Sequence, residues 1–215
     1  MARRGQGTAA GLSRRRIADA AVALVDRDGL ERFGVRRLAE ELGVDPMSIY
    51  HHIKGKAALL DAVSEAVLAE VAAATDDTSR DWEEIARRTA HGYREMAHRH
   101  PRVFPLLATR AQTSPVALVA LERLVTAMRE AGLPEQVVAD APMTLFGFLN
   151  GYLLAVLSSE SGEDTGAPAI DADTYPTMAA LAPLQAGYGS LAEFDRILGT
   201  VLGGIQDRAA RGGTR

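Results

Sequence analysis

Apolar residues recur at helical spacing along almost the whole chain, and no stretch sustains the alternation of a half-buried strand. Between Ser13 and Asp28, Ile17, Ala20, Ala21, Leu24 and Val25 share one face, with Ser13 suited to the N-cap and Gly29 to the stop. A short helix is predicted from Val35 to Leu42, with Leu38, Ala39 and Leu42 inward, broken by Gly43 and followed by the apolar Val44. Pro46 fits the first turn of another short helix running to about His52, with Ile49 and Ile53 buried and Gly55 ending the segment. A long helix follows from Lys56 to about Ala74, marked by Leu59, Leu60, Val63, Val67, Leu68 and Val71. The polar cluster TDDTSRD, Thr75 to Asp81, reads as a joint. Beyond it the pattern predicts helices at 81–99, 101–109, 114–131, 135–158, 174–186 and 190–209, with Asp81, Ser114 and Ser190 as N-caps and Gly132 as a C-cap. Residues 158–173 carry five acids and no base, the composition of a mobile acidic loop.

Composition agrees with an all-α chain. Aromatic residues are 5% of the 215 positions, and alanine is abundant. The absence of cysteine excludes disulfide scaffolds, thiolate metal sites and cysteine nucleophiles, and it fits a cytoplasmic protein. The basic start, MARRGQGTAAGLSRRR, has no apolar stretch of the kind a secretion signal needs. The most apolar run, Ala141 to Leu157, has Asn150 near its middle and lacks basic flanks, so a buried helix is expected and no membrane partner. The net charge of −4 is uneven: residues 1–56 hold eleven Lys/Arg against seven Asp/Glu, whereas the remainder holds thirteen against twenty-one. A basic head on an acidic body fits a head that meets phosphate, against the alternative of a chance fluctuation on a solvated surface.

Two short helices joined by a tight glycine-containing turn, with a longer supporting helix before them, describe a helix-turn-helix. The second, Pro46 to His52, would be the recognition helix, presenting Asp45, Met47, Ser48, Tyr50, His51 and His52. Met47 suits a thymine methyl, Ser48 a base or phosphate, and Tyr50 a phosphate through its hydroxyl. Lys54 and Lys56, the only lysines in the chain, stand where the next helix begins, and Arg14, Arg15 and Arg16 add sequence-independent attraction. The alternatives are a core Tyr50 with only its hydroxyl exposed and two ordinary solvated lysines. Adjacent His51 and His52 splay apart on a helix, so they do not chelate one metal.

The stretch RRLAEELGVDPMSIYHHIKGKAALLDAV, Arg36 to Val63, resembles the DNA-binding motif of the TetR family of transcriptional repressors. The likeness rests on Leu38 and Ala39, the turn Leu42 to Val44, Tyr50, His52 and Lys56, with no gap, and extends over roughly Ser13 to Val71. It implies that Arg36 reads a guanine, that Pro46, Met47, Ser48, Tyr50, His51 and His52 lie on bases and phosphates, and that Lys56 bonds phosphate. Gly34 and Val35 stand where the tetracycline repressors have a phosphate-contacting threonine pair, and Pro46 and Met47 where they have glutamine and proline. A different operator is therefore expected.

Two features of the body exceed the needs of a core. The predicted helix 135–158 is apolar all round after Ala141 and carries Gly147 and Gly151 four residues apart, near Leu154. The last helix repeats the spacing with Gly199 and Gly203, beside Val201, Leu202 and Ile205. Glycine weakens a helix, so such pairs point to close helix approach, either in a homodimer or within one subunit. The resemblance implies dimerisation through a four-helix bundle of these last helices. The second feature is sparse polarity among apolar residues: Thr89, Tyr93, Thr144 and Asn150, with Met96, Phe104, Leu107, Met143 and Phe146, a composition that suits a small-molecule site as well as a plain core. Aligned on Trp82 without gaps, the metal-binding histidine of the tetracycline repressors falls at Leu107, another drug-contacting histidine at Ala72 and an asparagine at Thr89. A larger, more hydrophobic organic effector is expected, with no metal and no cofactor.

His91 and His98 lie two turns apart, too far to share one metal, and HRHPR reads as the charged end of a helix. No catalytic motif is present, so an enzyme is not expected. The expectation is an N-terminal three-helix helix-turn-helix DNA-binding domain, 13–56, behind a flexible basic arm, 1–12, and followed by a helical ligand-binding and dimerisation domain, 57–215, of a chain of about nine to ten helices. Helix 56–74 would connect the two domains. The protein would bind a palindromic operator in double-stranded DNA as a dimer and be released by a small, mostly hydrophobic organic molecule. The alternatives are a helical metabolite-binding or processing protein whose head does not read DNA, and an activator of the same fold.

Overall fold

The computed structural model describes residues 11–74, 79–160, 170–185 and 187–212. Among them there are ten α-helices and no strand: α1 Arg14–Asp28, α2 Val35–Leu42, α3 Pro46–His52, α4 Gly55–Ala74, α5 Trp82–Arg99, α6 Phe104–Thr109, α7 Pro115–Glu130, α8 Glu135–Glu160, α9 Pro176–Leu181 and α10 Leu191–Gly212. A 3₁₀ turn, Leu30–Arg32, follows α1, and another, Ala182–Gln185, prolongs α9. Most of the arm, 1–10, part of the joint, 75–78, and most of the acidic loop, 161–169, lie outside the described residues. The chain divides into two compact units, Met1–Arg80 with Glu84–Leu124, and Asp81–Glu83 with Val125–Arg215. The first therefore takes in the predicted head together with α4, most of α5, α6 and the start of α7.

The helix ends follow the capping chemistry. The Ser13 hydroxyl accepts from the Arg16 amide at 3.2 Å, Ser114 from Ala117 at 3.3 Å, and Ser190 from Glu193 at 3.2 Å. Asp81 accepts from Glu83 at 2.9 Å, and the amides of Gly132 and Leu133 bond back to Arg129 and Met128. Gly43 closes α2 in the left-handed region, φ 65°, ψ 33°, which is what turns the chain into α3 within three residues.

In the first unit the head closes over one core. Ile17, Ala21, Leu24 and Val25 of α1 are buried with Leu38 and Ala39 of α2, Ile49 of α3, and Leu59, Val63 and Val67 of α4. Fully burying a side chain such as Ile49 contributes about 1.5–3 kcal/mol. The polar rim is cross-tied: Arg27 pairs with Glu41 at 2.8 Å and Arg37 with Asp28 at 2.9 Å, holding α2 on α1. The Arg27 guanidinium keeps the Glu41 carboxyl below the usual carboxylate range.

In the second unit α8 packs on α10 through Phe148, Tyr152 and Phe194, with ring centroids 5.5–6.1 Å apart. The Tyr152 hydroxyl donates to Glu193 at 2.9 Å, and the Gly189 amide donates to the same carboxylate at 2.7 Å. Gly189 sits at φ 79° with Val156 only 3.1 Å from where a Cβ would stand, so the turn into α10 needs glycine for both reasons. By length and composition α8 resembles a membrane span, and a third of its apolar window is buried in this chain. It is thus buried along Leu145, Leu149, Leu153 and Val156, and is open along Met143, Gly147, Gly151 and Ala155.

Candidate nucleic-acid interface and effector cavity

Asp45 and Pro46 start α3: the Asp45 carboxylate accepts from the Met47 amide at 2.8 Å, and Pro46 occupies the first turn, where no amide is missed. Asp45 therefore caps the helix it was expected to decorate. Ile49 and Ile53, each 1% exposed, pin α3 to the core. That anchoring fixes the opposite face outward, with Met47 63% exposed, Tyr50 at 37%, His51 and His52 exposed, and Pro46 and Ser48 half-buried. Tyr50 is neither sunk in the core nor free, since its ring walls a small recess with Phe33, Val35, Ile53 and Lys56.

Charge sorts the neighbouring cations. Arg14 pairs with Glu65, Arg27 with Glu41 and Arg37 with Asp28. Arg36, Lys54 and Lys56 are exposed and hold no carboxylate partner among the described residues. Lys54 follows α3 directly, Lys56 lines the recess that Tyr50 walls, and Arg36 stands in the first turn of α2 beside Val35 of the same recess. The first turn of α2 has no side-chain cap, because Gly34 stands at that position. An N-terminus with free amides and a cation or tyrosine near it is a phosphate-seeking arrangement.

Of the expected effector residues in the first unit, Tyr93, Met96, Phe104 and Leu107 are 0–3% exposed. The rings of Tyr93 and Phe104 meet edge to face at 5.6 Å, and burial pushes the Tyr93 phenol up. Thr89 lines a cavity of about 500 Å³ between α4, α5 and α7, with Ala72, Ala73, Ile85, Val116 and Ala120 as its apolar wall. Arg88 and Arg123 complete it from two different helices, and the sequence pattern gave no sign of either, because both read as surface arginines. In the second unit Phe146 and Asn150 are half-buried on α8, and Met143 is 79% exposed.

The glycine pairs lie in open space. A Cβ built at Gly147, Gly151, Gly199 or Gly203 meets nothing within 4 Å, so packing inside this one chain does not require glycine at any of them. Gly147 and Gly151 are exposed, Leu154, Gly199, Val201 and Gly203 are half-buried, and Leu202 and Ile205 are buried.

A cluster the sequence did not announce surrounds His100, which is 9% exposed. Its Nδ1 lies 2.6 Å from Asp26 at the end of α1, and its Nε2 lies 3.2 Å from Glu70 near the end of α4. Arg99 also pairs with Glu70, and Arg102 donates to the Asp26 carbonyl at 3.2 Å. The charged end of α5 thus ties together the two helices that carry the head. Among the described residues no group of three metal-ligating side chains is assembled.

The sequence matches the family described as bacterial regulatory proteins, tetR family, over residues 17–63, and the tetracyclin repressor-like C-terminal domain over residues 75–209. It is 31% identical over 152 residues to the HTH-type transcriptional repressor DrrR1 of Streptomyces coeruleorubidus, a match spanning 69% of this chain and 55% of that protein. With the tetracycline repressor protein class C of Escherichia coli the identity is 30%, over 91% of each chain. The fold superposes on the crystal structure of ActR of Streptomyces coelicolor in complex with actinorhodin with a TM-score of 0.79, at 26% identity, covering 93% of this chain and 98% of that one. With a helix-turn-helix whose third helix turns its polar face outward, and a helical body matched over most of its length, the chain belongs to the TetR family of helix-turn-helix transcriptional regulators.

Proposed function

We propose that this protein is a repressor that grips a palindromic operator as a homodimer and releases it when a mostly hydrophobic organic molecule enters the body. The outward face of α3, flanked by Arg36, Lys54 and Lys56 without carboxylate partners, carries the DNA-reading part. Arg36 reads a guanine edge, Met47 a methyl group, and Tyr50, His51, His52, Pro46 and Ser48 the adjoining bases and phosphates. Lys54 and Lys56 hold the backbone. Two heads on successive major grooves read half-sites roughly 34–36 Å apart.

The open stripe of α8 with Gly147, Gly151 and the half-buried Leu154, together with Gly199, Val201 and Gly203 of α10, supports a partner helix at close approach, whereas Leu202 and Ile205, expected on the same interface, are buried within this chain and pack its own core. The cavity of α4, α5 and α7 supports the effector site, with Thr89 as an orienting hydroxyl. Within the same unit Tyr93, Met96, Phe104 and Leu107 are further candidates to contact a larger ligand, and Met143, Phe146 and Asn150 of the second unit are candidates taken by themselves. Selection of bound sequences from a random duplex library tests the DNA-reading part, with titration of the winner at two salt concentrations. Recovery of a palindrome with a steep salt slope is expected. Weak binding without sequence enrichment would overturn it.

A further inference from the structure

Both ring nitrogens of His100 face carboxylates: Nδ1 lies 2.6 Å from Asp26 of α1, and Nε2 lies 3.2 Å from Glu70 of α4. A neutral imidazole has a single N–H, so it donates to one carboxylate and turns a lone pair on the other. Only the imidazolium donates to both at once. The ring has little room to turn aside: His100 is 9% exposed, its amide donates to Met96, and its carbonyl accepts from Val103 and Phe104 where α5 turns into α6. The flanking arginines hold each helix separately. Arg99 pairs with Glu70 of α4, and Arg102 donates to the Asp26 and Arg27 carbonyls at the end of α1. Guanidinium groups keep their charge at any working pH, whereas histidine ordinarily changes charge between about pH 5 and 8. The bond from one helix to the other through His100 is therefore the part of the cluster that a proton controls. Asp26, Glu70, Arg99, His100 and Arg102 all lie in the first unit, with the head.

We infer that His100 is a positioning residue for operator binding, a proton-held clasp between α1 and α4 that fixes the head in its DNA-competent shape and loosens as pH rises. The inference rests on the protein being an operator binder. The clasped form holds one proton more than the loosened one, so clasping is favoured at low pH and lost as pH rises. A head held in one shape loses less freedom on docking, which sets the direction: operator affinity falls as the proton leaves.

Operator recovered from the duplex selection is titrated with the full-length protein, His100→Gln and Glu70→Gln between about pH 5.5 and 8 at constant ionic strength. His51 and His52, on the outward face of α3, are common to all three proteins, so their own pH response cancels in the comparison. Across this range the wild-type dissociation constant should rise about fivefold or more beyond that of His100→Gln, within the limit of about tenfold per pH unit that one proton per subunit sets. Glu70→Gln separates a clasp from a merely structural histidine. Its amide nitrogen can donate to a neutral ring while its oxygen still accepts from Arg99, so its profile should be as flat as that of His100→Gln. At the upper end of the range it should bind operator more tightly than the wild type. Three parallel profiles, or a Glu70→Gln that binds more weakly than the wild type there, would overturn the clasp while leaving operator binding intact. Hydrogen exchange in the last turn of α1 reads the clasp without DNA. Its protection should fall with rising pH in the wild type and hold in Glu70→Gln. Should the selection recover no operator, the DNA-reading proposal falls by itself, and protection that holds in both proteins would then overturn the clasp as well.

Discussion

Replacing Gly147 and Gly151 together by alanine sets two consequences against each other. Within one chain the new methyl groups enter space where a Cβ meets nothing within 4 Å, so they cause no clash. Each also removes the conformational cost of glycine in a helix interior, about 1 kcal/mol, so an isolated subunit should gain roughly 2 kcal/mol. If α8 meets a partner helix along this stripe, the symmetry of a dimer doubles the change and four methyl groups enter one close crossing. At about 1 kcal/mol or more for each overpacked methyl group, association should weaken by roughly 4 kcal/mol. That is close to a thousandfold in the dissociation constant, since each 1.4 kcal/mol is about tenfold. Sedimentation equilibrium over a wide concentration range measures the association, and urea unfolding at a concentration where the variant is monomeric measures the subunit. The expected result is a weaker dimer made of a sturdier subunit, with a matching loss of operator affinity. A variant that dimerises within threefold of the wild type would refute close approach at these glycines. One that loses subunit stability would show that the space is filled within the chain.

Arg36→Ala should cost about 1–3 kcal/mol on the selected operator and almost nothing on random duplex, whereas Lys56→Ala should weaken both and lower the salt slope by about one. Competition titrations distinguish them, and equal losses on both duplexes for Arg36→Ala would remove its base-reading role. His100→Phe leaves the Asp26 and Glu70 carboxylates facing a ring that cannot donate, and Asp26 already has one buried oxygen without a partner. Stability to urea should fall by about 1–3 kcal/mol, with partial recovery in His100→Gln; an unchanged midpoint would mean that the cluster holds nothing together.

The helices were legible because each is specified locally. Ser13, Ser114 and Ser190 cap within three residues of themselves, and the spacing of Ile17, Ala21, Leu24 and Val25 is enough to aim α1 at the core. The outward face of α3 was legible for the same reason, since Ile49 and Ile53 determine which side of the helix turns out. What escaped depends on residues far apart in sequence. His100 acquires its role from Asp26 and Glu70, which are 74 and 30 residues away, and HRHPR alone describes only a charged helix end. The cavity is made by small residues on three helices, and an alanine has the same periodicity whether it fills a core or leaves a hole. Asp45 is exposed as expected, and beside an N1 proline it has a further part that the expectation did not name, capping α3.

One element belongs to both ends of the proposed mechanism. Helix α4 begins beside the recess walled by Tyr50 and Lys56 and ends in the cavity wall at Ala72 and Ala73. Lys56 and Ala72 are therefore about 24 Å apart along a helix rising 1.5 Å per residue. A rigid rod of that length converts a tilt of a few degrees at the cavity into a displacement on the order of 1–2 Å at the phosphates, enough to spoil two-fold register on DNA. The rod must be stiff for this to work, and its stiffness is open to change. Glycine at Ala66 and Ala69, half-buried and exposed positions of α4, removes about 1 kcal/mol of helix propensity at each without opening a large void. Linkage provides a measurement that does not need the natural effector: if 8-anilinonaphthalene-1-sulfonate, a fluorescent probe of apolar cavities, and operator bind antagonistically, each must weaken the other by the same factor. In the wild type that factor should lie in the range of about 5–150. In the doubly substituted protein each ligand alone should bind within twofold of the wild type while the factor falls toward one. If the factor survives with α4 softened, the signal does not travel through this helix, and the cluster of Asp26, Glu70 and His100 becomes the better place to look for it.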